Sequence, residues 1–302
     1  MNDMRSESRG VKRQKRFCLV EGDIELLKLV YEYRFARIDN LVALTDRSYK
    51  KIHGRVFKLV KNGYLRRIIL PLQKHIYSIG YHAVPLLVEQ GSAPAELIGQ
   101  RLRASELKDL FLKHELMIVD LHTMLRAATN ASIQLVAWKE GPELIDRVVF
   151  AEGGHRTALP FRPDAFFTLE SRQKSAEQNR MSFFLEADRS TTTHTRFRDK
   201  IVAYWNYLKQ GLHTSRYGIR SFRVVTVALT PARTRSLCAL TRSILPPAAF
   251  RYFLFGSIDS FSLTAPDSII DAVFLTAADA TGESRASLVP RRGLPCIARR
   301  IG

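Results

Sequence analysis

The stretch FFLEADRST, residues 183–191, places two carboxylates directly after an apolar run. Its first three residues are typical of a buried strand. Glu186 and Asp188 are two residues apart, so both side chains project from the same face of that strand. Like charges on one buried face are unfavourable unless they are protonated, paired with cations or bound to a metal ion. The stretch therefore predicts a chemically specialised site at the end of a strand.

A further carboxylate lies before a similar run. Asp164 immediately precedes the apolar residues 165–169, which we predict to be a strand. If the two strands are neighbours, Asp164 meets Glu186 and Asp188, and Lys200 in the following helix reaches the same place. Carboxylate oxygens favour Mg²⁺ or Mn²⁺, which activate water and stabilise the charge that develops on a phosphodiester. One interpretation is thus a metal site with Asp164 and Glu186 as ligands.

The alternative interpretation is a structural ion-pair network. Arg162 and Arg189 flank the acidic residues and have the geometry to neutralise them with bidentate contacts. Convergence of Asp164, Glu186 and Lys200 on an open pocket favours the metal site. Convergence with a salt bridge from Arg162 or Arg189 across the acids favours a scaffold that does not cleave DNA.

The surrounding sequence alternates apolar runs with helical patterns. Strands are predicted at 132–138, 146–152, 165–169, 181–188 and 221–230, with helices beginning near residues 105, 195 and 231. This alternation indicates an α/β sheet with helices on its faces. We assign residues 104–290 to this mixed-sheet domain, after a connector at 91–103.

Residues 20–91 have the element order of a winged helix-turn-helix domain. Three helical patterns precede two short apolar runs around Pro71, which predict a hairpin. In such domains the third helix enters the major groove of duplex DNA and the hairpin contacts the backbone. A winged helix that contacts only proteins is the alternative, and the basic outer face of the third helix favours DNA. The candidate DNA contacts are Tyr49, Lys50, Lys51, His53, Arg55, Lys58, Arg66, Arg67 and Lys74.

The overall charge supports an anionic partner. A net charge of +18 over 302 residues favours double-stranded DNA over an anionic membrane surface. We interpret residues 1–19 as a basic disordered arm and residues 291–302 as a basic tail. The sequence has no apolar run long enough for a signal peptide or a membrane span, and its three cysteines are widely spaced. We therefore expect a cytoplasmic protein without a membrane partner.

The acidic residues resemble the motif of the PD-(D/E)xK nuclease fold. Asp164 and Glu186 match its two acidic positions, and Asp188 occupies the position of the family's lysine. Lys200 is a candidate replacement for that lysine, and Glu115, on the preceding helix, is a candidate extra member. The resemblance implies that the mixed-sheet domain has a PD-(D/E)xK-like α/β fold, and that the chain as a whole, with its winged helix, is of the α+β class. The substituted lysine bears on catalysis rather than on the fold, so whether the protein is an enzyme stays open.

A broader resemblance covers residues 20 to about 235. A winged helix followed by R-P-D-A-x-F at 162–167, F-L-E-x-D-R-[S/T]-T at 184–191, and K-x-x-x-Y at Lys200 and Tyr204 resembles the replication-relaxation family of plasmid and mobile-element proteins. The resemblance implies control of plasmid replication or copy number through DNA binding. Candidate protein partners are a second copy of the chain, as a homodimer, and other replication or mobile-element proteins.

Three functions remain open at this point. The first is a DNA-binding regulator of plasmid or mobile-element replication with a nuclease-like scaffold domain. The second is an Mg²⁺- or Mn²⁺-dependent endonuclease that nicks DNA. The third is an adaptor that recruits partners in a mobile-element complex, for which we expect weak DNA affinity and a large apolar patch.

Overall fold

The computed structural model describes residues 17–103, 109–128, 132–172, 179–190, 192–271, 273–279 and 284–289. Of the predicted basic arm, residues 1–16 lie outside the described ranges, and so does the whole of the predicted tail. The described chain divides into two units, and the division falls between the helices Ala95–Arg103 and Asp109–Ala127. The predicted connector at 91–103 therefore contains a helix of the first unit.

The amino-terminal elements follow the predicted order of three helices and a hairpin. They are α1 (Glu21–Tyr33), α2 (Ile38–Thr45), α3 (Tyr49–Lys61), β1 (Leu65–Ile68), β2 (Ile76–Ile79), α4 (Ala83–Glu89) and α5 (Ala95–Arg103). β1 and β2 pair as an antiparallel hairpin, with Leu65 opposite Ile79. The element order predicted for a winged helix-turn-helix is thus confirmed.

The ends of α3 show how local chemistry delimits a helix. The helix stops just before Gly63, whose φ of +73° is the left-handed conformation that glycine favours. At its other end, Ser48 occupies the cap position without a side-chain hydrogen bond. Thr45 does not cap α3 either, because it lies in the last turn of α2 and its hydroxyl donates to the Leu41 carbonyl at 2.6 Å. Neither hydroxyl therefore caps α3.

Residues Asp39–Arg47, which include most of α2, group with the second unit. A buried polar contact accounts for this. The amide of Asn40, which is fully buried, donates to Asp120 Oδ1 at 2.8 Å and to the Thr123 hydroxyl at 3.3 Å. A buried amide needs such partners, so these bonds fix the helix in that position.

The second unit is built on a mixed six-stranded sheet. The strands of this unit, inside and outside the sheet, are β3 (Ile133–Glu140), β4 (Asp146–Glu152), β5 (His155–Phe161), β6 (Ala165–Ser171), β7 (Arg180–Asp188), β8 (Arg223–Ala228), β9 (Phe253–Ser257) and β10 (Leu275–Thr276). The sheet order is β10-β9-β8-β7-β6-β3, in which β7, β8 and β9 are parallel and the other pairs antiparallel. β4 and β5 form a separate hairpin, closed by two glycines with positive φ.

Helices cover both faces of this sheet. They are α6 (Asp109–Ala127), α7 (His194–Lys209), α8 (Leu212–Tyr217) and α9 (Pro231–Ile244). Phe184 and its neighbours on one face pack against α7 and α9, whereas Phe183 and Leu185 pack with residues of α6 on the other face. Since side chains alternate along a strand, Glu186 and Asp188 share the face of Phe184 and point toward α7 and α9. No helix in the described ranges is long and apolar enough to span a bilayer.

Candidate functional site: a buried cluster of carboxylates and cations

The carboxylates predicted to converge meet at one end of the sheet. β6 and β7 are antiparallel neighbours, with Ala165 opposite Leu185, so the residue before β6 lies beside the end of β7. The backbone N–H of Asp164 donates to the Leu185 carbonyl at 3.1 Å. The backbone N–H of Ala187 donates in return to Asp164 Oδ2 at 2.8 Å. These bonds hold Asp164 next to Glu186, as the sequence predicted.

Glu186 is held by two donors from one face of α7. Its side chain is only 4% exposed. Lys200 Nζ forms a salt bridge with Oε2, and the Tyr204 hydroxyl donates to Oε1 at 2.6 Å. Lys200 and Tyr204 are four residues apart, so they are neighbours on the helix surface. This geometry gives a physical reason for the K-x-x-x-Y spacing.

Asp188 is paired with a residue that sequence reasoning missed. Arg233 Nε donates to Asp188 Oδ2 at 2.6 Å, and its terminal nitrogen donates to the Thr192 carbonyl at 2.6 Å. Arg233 lies in the first turn of α9, which Thr230 caps by accepting from the Arg233 backbone N–H at 3.2 Å. β8 is parallel to β7, so the helix after β8 begins at the same sheet edge as Asp188. That topology is the signal that points to Arg233.

His114 on α6 also belongs to the cluster. Its Nε2 lies 3.3 Å from Asp164 Oδ1. Burial lowers the pKa of His114, but the hydrogen bond and the charge of Asp164 overcome it, with Glu115 adding to the effect, so the pKa is raised. Glu115 is half-buried beside His114 on the same helix, and its role as an extra member of the site stays a prediction.

The charges of the cluster set which carboxylate takes up a proton. Burial raises the pKa of Glu186 to about 7, and the charge of Asp164 adds to this against the opposing charge of Lys200. Burial lowers the pKa of Lys200, but the charges of Glu186, Asp164 and Asp188 overcome it, so this pKa is raised. Lys200 faces three anions, whereas Glu186 faces an anion as well as a cation. Lys200 therefore stays charged, and Glu186 is the group that titrates near neutral pH.

Burial also raises the pKa of Asp164, but the hydrogen bond from His114 and the charge of Lys200 overcome it, so this pKa is lowered. Near neutral pH, Asp164 therefore stays ionised, whereas Glu186 is partly protonated. Two neighbouring carboxylates with different protonation states are also a common arrangement in catalytic sites, although structural ion-pair networks perturb pKa values in the same way.

All four carboxylate oxygens of Asp164 and Glu186 accept hydrogen bonds from protein groups. An Mg²⁺ or Mn²⁺ ion bound by these two residues would displace Lys200 or His114. Within the described ranges, no three His, Cys, Asp or Glu side chains are grouped as metal ligands. The donor set fits an ion-pair network and does not fit a divalent cation.

The arginines expected to neutralise the carboxylates do not do so. Arg162 is exposed and forms no ion pair within the described part of the chain. Arg189 donates to the Lys113 carbonyl at 3.0 Å, because it projects from the face of β7 opposite Asp188. The ion pairs of the scaffold interpretation exist, but their cations are Lys200 and Arg233, and the expected pairing was wrong.

The predicted DNA contacts lie on α3 and the hairpin of the first unit. Most are exposed and Arg66 is half-buried, and the rings of Tyr49 and His53 stack 6.0 Å apart. Arg55 differs, because its Nε donates to Asp23 Oδ1 at 2.7 Å and Asp23 is fully buried. Arg55 thus neutralises a buried carboxylate, and the other positions remain predicted DNA contacts.

Comparisons with known proteins identify a family. The family model for replication-relaxation matches residues 27–221, which is more than half of the chain. Comparisons with curated proteins and with solved structures found no significant match. The match begins within α1 and ends within the segment before β8, so it includes most of the first unit as well as Asp164, Glu186 and Lys200. The chain belongs to the replication-relaxation family, which indicates a role related to the replication of plasmids or mobile elements.

Proposed function

We propose that this protein binds duplex DNA through α3 and the β1–β2 hairpin and thereby controls replication or maintenance of a plasmid or mobile element. The second unit acts as a nuclease-like scaffold that does not cleave DNA. The observation that carries the proposal is the charge of α3, which has four lysines besides Arg55 and no carboxylate.

The buried face of α3 leaves its basic face to solvent. Ile52, Val56 and Leu59 are buried, whereas Lys50 and Lys51 are exposed at the beginning of the helix. In helix-turn-helix proteins, residues near the beginning of the recognition helix contact base edges. Each phosphate that a lysine neutralises also releases counterions, so affinity becomes strongly dependent on salt.

The scaffold role is supported by the bonds that occupy Asp164 and Glu186. A nuclease needs carboxylate oxygens free to bind metal ions, and here those oxygens accept from Lys200, Tyr204, His114 and a backbone N–H. The second candidate function, a metal-dependent nickase, is favoured by the convergence of Asp164, Glu186 and Lys200 at one sheet end. The test must therefore measure both binding and cleavage.

Duplex binding is tested with the full chain and a panel of fluorescent duplexes from plasmid origins. The variant Lys50→Ala/Lys51→Ala is compared with Arg196→Ala/Arg235→Ala, which removes the same charge from exposed positions on α7 and α9. We expect only the first variant to weaken binding, with the slope of log affinity against log salt reduced by about 1.8. An equal effect of both variants contradicts recognition by α3. Binding that neither variant weakens also contradicts recognition by α3, whereas absence of duplex binding by the wild type favours the adaptor function.

Cleavage is tested with supercoiled plasmid and Mg²⁺ or Mn²⁺. We expect a salt-sensitive shift of the plasmid without strand breaks in the wild type and in Glu186→Gln alike. Metal-dependent nicking that disappears in Glu186→Gln would overturn the scaffold role and establish the nickase. Contaminating nuclease is recognised because its activity persists in Glu186→Gln.

A further inference from the structure

A groove of about 720 Å³ opens on the second unit at the opposite end of β7 from Glu186 and Asp188. Thr168 on β6 and Ser182 on β7 contribute to its floor, and their hydroxyls are 3.2 Å apart. One wall is the segment 216–223, which leads from α8 into β8, and the other is residues 136–139 of β3. The groove is thus separate from the carboxylate cluster.

The described residues that line the groove include several cations and no carboxylate. Its five cationic residues are Lys139, Arg180, Arg216, Arg220 and Arg223. Arg220 is exposed and forms no ion pair with any described residue. Arg180 pairs with Glu170 at 2.7 Å while 69% exposed, and Lys139 pairs with Glu143 at 3.6 Å while 45% exposed. Exposed pairs of this kind stabilise a protein by about 0–1 kcal/mol, so both cations are able to exchange their partner for a phosphate.

The groove also contains aromatic and hydroxyl groups. Tyr217, in its wall, stacks on Phe166 with ring centres 5.1 Å apart and planes inclined by 18°. Its hydroxyl is buried and has no hydrogen-bond partner among the residues described. A positively charged groove with aromatic side chains is the arrangement by which proteins hold an unpaired nucleic-acid strand, because the bases of such a strand stack on exposed rings.

We propose that this groove is a second DNA site, which binds single-stranded DNA. Phosphates contact Arg220, Arg180 and Lys139, and a base lies against Tyr217. A duplex keeps its base faces stacked within the helix, so it cannot use the ring. The inference rests on the proposed function only in taking DNA as the ligand. The residues of the groove belong to the second unit, whereas α3 belongs to the first. The groove would thus give the protein, in addition to its duplex-binding site, a binding site for a single strand that is exposed during replication.

The test uses the full chain and a fluorescein-labelled oligothymidylate of about ten nucleotides, followed by fluorescence anisotropy over a salt series. We expect Arg220→Ala to weaken binding about tenfold and to reduce the salt slope by about 0.7, the effect of one lost phosphate contact on a single strand. Arg235→Ala, which removes an exposed arginine outside the groove, is expected to bind within about twofold of the wild type. Duplex affinity is expected to be the same in Arg220→Ala and the wild type.

Equal loss in Arg220→Ala and Arg235→Ala would overturn the proposal, because it would show attraction by overall charge alone. The proposal also fails if Lys50→Ala/Lys51→Ala loses single-strand and duplex affinity in the same proportion, since both ligands would then bind α3. Wild-type protein that binds the oligothymidylate through Arg220 but binds no duplex would support this site while overturning the duplex-binding function.

Discussion

Replacing Lys200 with methionine is the sharpest test of the buried cluster. Methionine has a similar length but no charge, so Lys200→Met removes the salt bridge of Glu186 and leaves the packing of α7 nearly unchanged. Glu186 then has only the Tyr204 hydroxyl as a donor in the part of the chain that the structure describes. A carboxylate that is 4% exposed and has lost its cation is strongly destabilising.

The expected magnitude follows from the burial of the two partners. Breaking a buried ion pair by removing one partner destabilises a protein by about 3–5 kcal/mol. Lys200 is 34% exposed, so water screens part of the interaction and we expect about 3 kcal/mol, the low end of the range. With a guanidinium dependence of about 4 kcal/mol/M, the unfolding midpoint falls by roughly 0.7 M.

The loss depends on pH in a defined direction. The pKa of Glu186 is raised from 4.5 to about 7 in the folded protein. Between these values the folded state binds a proton that the unfolded state has released, so the contribution of Glu186 to stability falls as pH rises from 4.5 to 7. Without Lys200 this pKa rises further, because an opposing charge is gone. The difference between wild type and Lys200→Met is therefore expected to be larger at pH 8 than at pH 6.

The assay is guanidinium unfolding followed by tryptophan fluorescence. Trp138 and Trp205 are the two tryptophans of the chain and lie on β3 and α7, so the signal reports the second unit. Arg196→Met, an exposed cation in the first turn of the same helix, is the matched control. The double variant Lys200→Met/Glu186→Gln, which removes both charges, is expected to regain most of the lost stability.

Two results would refute this reasoning. The first is a Lys200→Met midpoint no lower than that of Arg196→Met, which would mean that the salt bridge contributes nothing to the folded state. The second is a double variant as unstable as Lys200→Met, which would mean that the loss comes from packing rather than from an unpaired carboxylate.

Three further predictions concern single contacts. Arg233→Met leaves Asp188 buried without its cation, so tryptophan fluorescence should show a loss of about 3–5 kcal/mol. Arg55→Met does the same to the buried Asp23 and should unfold the first unit early, measured by circular dichroism, whereas unchanged stability would return Arg55 to the candidate DNA contacts. Thr193→Ala removes the cap of α7 and should lower stability by about 1 kcal/mol, while Thr193→Ser retains it.

The central strands were predictable because of their burial. A strand covered on both faces has a nearly continuous apolar run, and this pattern identified β6, β7 and β8. β5 was missed because its residues are mostly exposed and include Pro160, which argues against a sheet interior. β4 was identified as a strand, but no local pattern shows that it pairs with β5 outside the main sheet.

The site was predictable where its contacts are local or follow from neighbouring strands. Glu186 lies beside Asp164 because β6 and β7 are adjacent in the sheet. Lys200 contacts Glu186 because α7 follows β7 in the chain. Arg233 is 45 residues from Asp188, so its contact depends on the parallel pairing of β7 and β8. Arg189 is adjacent to Asp188 in sequence, yet the alternation of a strand directs it to the opposite face.

The charge balance of the cluster shows how far its own side chains neutralise one another. Three carboxylates face two permanent cations, Lys200 and Arg233, which leaves one negative charge. A proton compensates it, carried by His114, whose pKa is raised, or by Glu186, whose pKa is about 7. Since side chains and one proton already neutralise the buried acids, a divalent cation would add surplus positive charge and displace an existing bond. At this end of the sheet the acids are therefore occupied by the chain's own basic side chains, Lys200 and Arg233.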